Sequence, residues 1–130
     1  MKDRCLFKAK ICNGEWVAGF LHCKENKWYI SNKAGSPFAF EVRPDTICQC
    51  TGLKDKNGKL IWENDIVAYW DTYSTENGLA EADCVGEVMW DDETISFQVT
   101  NRLFAESYEV LDECNVIGNI FDNPELIKEI

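Results

Sequence analysis

The stretch TGLKDKNGKLIWENDIV (residues 51–67) decides the fold of this chain, because it combines a turn, a short strand, a polar corner and the start of a second strand. Asn57-Gly58 tolerates the positive φ values of tight hairpin turns, so we predict a chain reversal there. The segment that begins at Ile66 is β-branched and aromatic, which is typical of a half-buried strand. Residues 51–67 therefore predict a β-rich fold built on short strands.

Two carboxylates in this stretch, Glu63 and Asp65, allow two interpretations. They could be catalytic or metal-binding groups. Alternatively, they could fix the corner around Asn64 and stay solvated. We favour the second interpretation, because short polar side chains in turns commonly bond the neighbouring backbone. We predict no catalytic residue, no metal ligand and no cofactor.

Length and composition indicate a soluble globular protein. The chain has 130 residues, of which 45% are hydrophobic and 28% charged. No apolar run approaches the roughly 18 residues of a membrane helix. The first ten residues, MKDRCLFKAK, lack the apolar core of a signal peptide. We therefore expect a cytoplasmic protein without membrane contact.

Cysteine usage fits a reducing compartment. Seven cysteines without an export signal argue against a disulfide framework. Cys48 and Cys50 would share one strand face about 7 Å apart, which is too far for an unstrained bridge. No C-x-x-C is present, and His22 is the only histidine. We interpret the cysteines as structural rather than metal-binding or redox groups.

Alternating patterns predict strands along most of the chain. After a turn at Asn13-Gly14, the residues Trp16, Ala18, Phe20 and His22 share one strand face. We interpret His22 as a partly buried structural histidine rather than a general base.

Residues 85–90 and 95–99 predict the clearest hairpin, with Ile95, Phe97 and Val99 on one side. Residues 71–81 are rich in structure-breaking residues and predict a polar loop, either functional or a disordered hairpin tip. Near the end, Asn123 suits an N-cap and Pro124 the first helical position, so we expect a short helix over residues 123–130.

Charge is divided unevenly. Residues 1–50 carry eight Lys or Arg and five Asp or Glu, a net of +3, and residues 51–130 carry five and eighteen, a net of −13. Together they give the overall −10, which disfavours nucleic acid as a partner. If this segment is a strand, Glu81, Asp83 and Glu87 would lie on the same face and form part of a row of carboxylates.

Three blocks of the sequence resemble the YopX family, whose members are found in phages and prophages. The central block is VRPDTICQCTGLKDKNGKLIWENDIV (residues 42–67). The ending YEVLDECNVIGNIFDNPELIKEI (residues 108–130) and the opening FKAKICNGEWVAGFL (residues 7–21) are also similar to family patterns. Cys48, Cys50 and Asn64 depart from them, and Asn64 should tolerate the left-handed backbone that a usual Gly there implies.

The resemblance implies a mainly β unit over residues 1–130. We expect a β-rich amino-terminal part over residues 1–50, a small SH3-like barrel over about 51–122, and the short helix. The spacing of strands and turns also favours a small barrel or roll. The residues expected to define the structural motif are Thr51, Gly52, Asp55, Asn57, Gly58, Glu63, Asp65, Gly118, Asn119, Asn123 and Pro124.

These patterns do not determine the function, so we consider three hypotheses. The first is a phage or prophage accessory protein, not an enzyme, that acts through protein–protein contact or self-association, since five Trp and seven Phe exceed what a small barrel must bury. The second is an acidic mimic of nucleic acid that inhibits a host enzyme. The third is a nucleic-acid-binding barrel that uses the basic residues Lys2, Arg4, Lys8, Lys10, Lys24, Lys27 and Lys33.

Overall fold

The computed structural model describes residues 6–31, 38–100 and 107–127. The chain divides into two compact units, Met1–Gly52 and Leu53–Ile130. The prediction of a mainly β fold is confirmed, since the described strands form two antiparallel sheets. The elements are β1 (Phe7–Lys10), β2 (Trp16–Lys24), β3 (Lys27–Ser31), β4 (Ala39–Glu41), β5 (Cys48–Lys54), β6 (Leu60–Trp62), β7 (Asp65–Thr75), β8 (Gly78–Asp91), β9 (Ser96–Val99), α1 (Ser107–Glu113), β10 (Asn115–Asn119) and 3₁₀ turns at Pro44–Thr46 and Pro124–Leu126.

In the first unit β1 to β4 form a meander and β5 returns to pair with β1, so the strands lie in the order β4-β3-β2-β1-β5. The predicted turn at Asn13-Gly14 joins β1 to β2, and Gly14 has a φ of 88°. Glu25 and Asn26 link β2 to β3, both in the left-handed region that such two-residue hairpin turns require. One side of this sheet is apolar and packs around Ala9, Ile30 and Val42.

The second unit contains a four-stranded sheet in the order β10-β7-β8-β9, together with α1. Strand β5 runs on to Lys54 and pairs with β6 through the predicted Asn57-Gly58 turn. Helix α1 is not predicted by the sequence pattern, because seven residues are too few to establish a helical period. The helix contributes two of the buried core residues, which are Ile61, Val67, Tyr69, Val88, Val99, Val110, Leu111 and Cys114.

A long hairpin replaces the loop predicted over residues 71–81, so that prediction is wrong. Strands β7 and β8 stay paired from Ile66 opposite Glu87 to Thr75 opposite Gly78. The turn at the tip is held by the Thr75 hydroxyl, which donates to the Gly78 carbonyl at 2.7 Å. The ends of β7 and β8 nearest the tip are largely exposed, so polar residues are tolerated there. The Thr and Tyr residues of this segment still favour the strand conformation.

The hairpin of β8 and β9 is confirmed, with Trp90 opposite Phe97 and Asp91 opposite Ser96. The predicted position of Ile95 on the side of Phe97 and Val99 is wrong. Ile95 lies in the turn with a φ of 54° and is 74% exposed. Strand β9 begins at Ser96, so the alternation of strand residues does not reach Ile95.

The carboxy-terminal end also differs from expectation. Pro124–Leu126 forms a single 3₁₀ turn, and Asn123 makes no side-chain capping bond to it. Asn123 and Pro124 occupy the N-cap and first helical positions as predicted, but the Asn123 Oδ1 accepts the backbone N–H of Asn119 at 3.3 Å instead of capping the turn. The rest of the predicted helix, residues 128–130, lies outside the described residues.

Candidate interaction surface

Asp55 organises the turn between β5 and β6. Its side chain is 5% exposed, and Oδ1 accepts the backbone N–H groups of Asn57 and Lys59, both at 2.9 Å. Oδ2 accepts the N–H of Val116 in β10 at 3.0 Å, and the Lys56 N–H donates to the Cys114 carbonyl at 3.0 Å. One carboxylate thus closes the turn and fastens it to β10.

The electrostatics of Asp55 follow from these bonds. Burial by itself would raise the pKa of this carboxyl, but the N–H donors of Val116, Lys59 and Asn57 favour the charged form, as does the Lys59 ammonium. The net result is a pKa below the usual value. Asn57 adds an exposed bond, from its Nδ2 to the Asn115 Oδ1 at 2.7 Å.

The corner between β6 and β7 is built from Asn64 and Asp65. Asn64 has a φ of 72°, which confirms the left-handed backbone predicted for it. The Asp65 Oδ2 accepts the N–H of Trp62 at 2.8 Å. Asp65 therefore fixes the corner as predicted, but it is 2% exposed rather than solvated. Glu63, which precedes Asn64, is half-buried.

A second turn motif follows β10. The Asn119 Oδ1 accepts the N–H groups of Phe121 at 3.0 Å and Asp122 at 2.9 Å. Gly118 lies at a register irregularity in β10, where an added Cβ would come within 2.5 Å of the Asn123 Oδ1. Gly118 thereby gives Asn123 the room to bond Asn119.

The remaining motif residues lie on the backbone framework. Gly58 and Gly52 have φ values of 82° and 83°, the first in the turn and the second within β5. Thr51 is buried in the same strand, and Pro124 opens the 3₁₀ turn. The side chains of Asp55, Asp65 and Asn119 thus accept hydrogen bonds from backbone N–H groups, as is typical of residues that hold turns and corners.

Exposed aromatic and acidic side chains share one side of β7 and β8. Tyr69, Cys84 and Val88 face the core, so the alternate residues of each strand point away from it. Trp70 is 65% exposed and stands opposite Asp83, and Leu79 near the hairpin tip is 73% exposed. We call this surface the acidic face and define it by Trp70, Leu79, Glu81, Asp83 and Glu87.

The uninterrupted register of β7 and β8 confirms that Glu81, Asp83 and Glu87 lie on one side of β8. Adjacent carboxylates two residues apart are separated by about 7 Å of strand, and Val85 interrupts the series before Glu87. Glu87 is half-buried, and burial raises the pKa of its carboxyl above the usual value. The outer carboxylates, Glu81 and Asp83, are the exposed ones.

The single histidine lies on the predicted strand face but is exposed rather than partly buried. His22 is exposed on β2 and stacks on Tyr29, with ring centroids 5.6 Å apart and planes inclined by 16°. The reason is that its strand face is the outer one, since the neighbouring Leu21 packs against the core.

No disulfide bond joins the described cysteines. Cys48, Cys50 and Cys114 are buried, while Cys12 and Cys23 are exposed. Within the described ranges, no three His, Cys, Asp or Glu side chains come together as a metal-binding group. In that part of the chain there is also no helix with the length and hydrophobicity needed to cross a membrane.

The fold and the turn motifs together define a small protein of two β-rich units, whose polar signature residues hold turns and corners. Its sequence matches the model of the YopX protein family over residues 2–128, and the chain belongs to that family. Among solved structures it is similar to protein EF1440 from Enterococcus faecalis. That likeness has 26% identity and a TM-score of 0.56, and covers 95% of this chain and 96% of that one. No curated protein matches it.

Proposed function

We propose that this protein is a phage or prophage accessory protein, not an enzyme, that works in the cytoplasm by binding a partner protein through the acidic face. The observation that carries the proposal is the exposure of Trp70 and Leu79 on a regular strand surface. Trp is enriched among the residues that dominate binding energy, and a solvent-facing Trp beside carboxylates fits a partner that offers an apolar pocket with a basic rim.

The charge of the face sets the chemistry of the partner. Asp83 stands opposite Trp70, and Glu81 lies two residues along the same strand. Opposite charges around an apolar centre speed association and fix orientation more than they add affinity. We therefore expect a partner with Lys or Arg around the pocket that receives Trp70.

A second candidate is the nucleic-acid mimic, for which the partner would be the basic groove of a nucleic-acid enzyme. The alignment of Glu81, Asp83 and Glu87 on one strand favours it. Against it, the interruption at Val85 leaves the carboxylates unevenly spaced.

We also infer that the second unit is an SH3-like barrel. The resemblance to the family supports this inference, as does a core shared by β6 to β10 and α1. Among the described residues the ladder runs from β10 through β7 and β8 to β9, and β9 is not paired with β10.

The test is a pull-down from a lysate of the host bacterium with the tagged protein, W70A, and E81K/D83K. We expect a band that the wild type retains and that both variants lose. Phe20→Ala is the matched control, since it removes an exposed aromatic from the first unit and should keep the band. Release of the partner by duplex DNA would favour the mimic.

Sedimentation velocity completes the test. A dimer that Trp70→Ala dissociates would make a second copy of this chain the partner. A protein that stays monomeric and retains nothing that W70A loses would contradict the proposal.

A further inference from the structure

The outer side of the first unit carries lysines and aromatic rings together. Ile30, Val17 and Leu21 pack toward the apolar core of this unit, so the alternate residues of β2 point outward. The strand registers place the outward residues of β1 and β3 on the same side. We call this surface the basic aromatic face, and its members are Lys8, Lys10, Trp16, Phe20, His22, Lys24, Lys27 and Tyr29.

The aromatic members follow β2 and its neighbour. Phe20 is 36% exposed and His22 is exposed beside it, two residues further along the strand. His22 stacks on Tyr29 across the strand pair, and Trp16 lies half-buried at the other end of β2. The rings of Trp16, Phe20 and His22 thus follow β2 over about 20 Å, at about 3.4 Å per residue, and the Tyr29 ring lies beside His22 on β3.

Lysines surround these rings. The ammonium groups of Lys8 and Lys10 lie 4.8 Å and 5.4 Å from the centre of the Trp16 ring, within the range of cation–π attraction. Lys24 and Lys27 face each other at the hairpin end of the same surface and are exposed. The acid that the registers place on this side is Glu41, opposite Tyr29. Lys2, Arg4 and Lys33 lie outside the described residues.

We propose that the basic aromatic face binds single-stranded nucleic acid, with bases stacked on its rings and phosphates held by its lysines. Single-strand binding sites combine a positive track for the backbone with aromatic side chains on which successive bases stack. A duplex keeps its bases inside, so it cannot use the rings in this way. This proposal is independent of the acidic face, which lies in the other unit.

The overall charge of −10 does not decide this question by itself. Eight of the thirteen Lys and Arg residues belong to residues 1–50, which also hold five of the twenty-three Asp and Glu. At physiological salt a charge is screened over about 8 Å, so a bound phosphate responds mainly to its near neighbours. In the described part of the chain, those neighbours are four lysines, Glu41 on the same side of the sheet, and the turn residues Glu15 and Glu25.

The experiment measures the fluorescence anisotropy of a labelled oligothymidine of about 16 nucleotides. This length is the upper limit of the number of nucleotides that one OB-fold domain covers. The full chain is titrated at about 50 mM and about 200 mM NaCl. We expect binding that weakens with salt, and we expect the corresponding duplex to bind more weakly than the single strand.

Two variants separate the contributions. Lys24→Gln with Lys27→Gln removes two phosphate contacts and should reduce the slope of log affinity against log salt by about 1.4, at roughly 0.7 per contact. Phe20→Ala removes a stacking ring and should weaken binding by about five- to a hundredfold. The matched controls are Lys54→Gln and Trp70→Ala, an exposed lysine and an exposed aromatic in the second unit, and both should bind like the wild type.

Circular dichroism of each variant establishes that it is folded. The proposal is overturned if the oligonucleotide does not bind at the lower salt concentration. It is also overturned if single strand and duplex bind equally and F20A binds like the wild type, because the face would then attract any polyanion without stacking.

Discussion

Replacing Asp55 by Asn should loosen the connection between the β5–β6 turn and β10. The carboxylate receives three backbone N–H groups, two on Oδ1 and one on Oδ2. Asn keeps the shape of the side chain and one acceptor oxygen. If that oxygen stays with the turn, the new NH₂ group points at the Val116 N–H, and a donor meets a donor.

The magnitude follows from what is lost. A hydrogen bond to a charged group contributes about 1.5–3 kcal/mol, and a buried donor left without an acceptor costs about 1–3 kcal/mol. The hydrogen bonds from the Asn57 and Lys59 N–H groups are kept, although the loss of the charge weakens them. We therefore expect Asp55→Asn to lower the free energy of unfolding by about 2–3 kcal/mol. Asp55→Ala should cost more, since it removes every acceptor.

The same substitution should change the response to acid. The pKa of Asp55 in the folded protein lies below the ordinary value of 3.8, so near that pH the folded state binds fewer protons than the unfolded state. The stabilisation is complete above the unfolded-state pKa and is lost as pH falls through the folded-state pKa. Asp55→Asn has no such group, and its disadvantage should shrink in that acidic window.

Urea unfolding followed by tryptophan fluorescence measures the stability, and amide hydrogen exchange at Val116 and Lys59 measures the local effect. Glu93→Gln is the control, since it removes one exposed carboxylate from the same unit. An Asp55→Asn midpoint equal to that of Glu93→Gln, with unchanged exchange at Val116, would refute the argument.

Three further predictions concern backbone and thiols. Gly86→Ala should destabilise the second unit by about 1–3 kcal/mol in urea unfolding, because the new Cβ would collide with the backbone carbonyl of Thr100. Asn64→Ala should be about 1–2 kcal/mol less stable than Asn64→Gly, because both remove the same side chain and only Gly adopts the left-handed backbone without strain; equal midpoints of the two variants would contradict this. Cys114 should resist a thiol reagent at mildly alkaline pH while Cys12 reacts, because burial raises the pKa of the Cys114 thiol to about 11; mass spectrometry of the labelled protein checks this.

Local chemistry made part of the fold predictable. The Asn57-Gly58 turn and the left-handed Asn64 were predicted correctly because each depends on backbone preferences of a few residues. The long β7–β8 hairpin was missed, since its polar tip has the composition of a loop and pairing between strands is a tertiary effect. The hydrogen bond from the Val116 N–H to the Asp55 carboxylate joins residues far apart in sequence, so no local pattern could indicate it.

Net charge is a poor guide to the surfaces of this protein, and the reason is structural. Strand alternation puts Trp70 beside carboxylates on β7 and β8, and Phe20 near lysines on the sheet of the first unit. One chain with a net charge of −10 thus carries two aromatic surfaces whose charged side chains have opposite signs. The substitutions Phe20→Ala and Trp70→Ala test them reciprocally, since each should weaken one binding activity and spare the other. If either substitution weakened both activities equally, the two faces would not be separate binding sites.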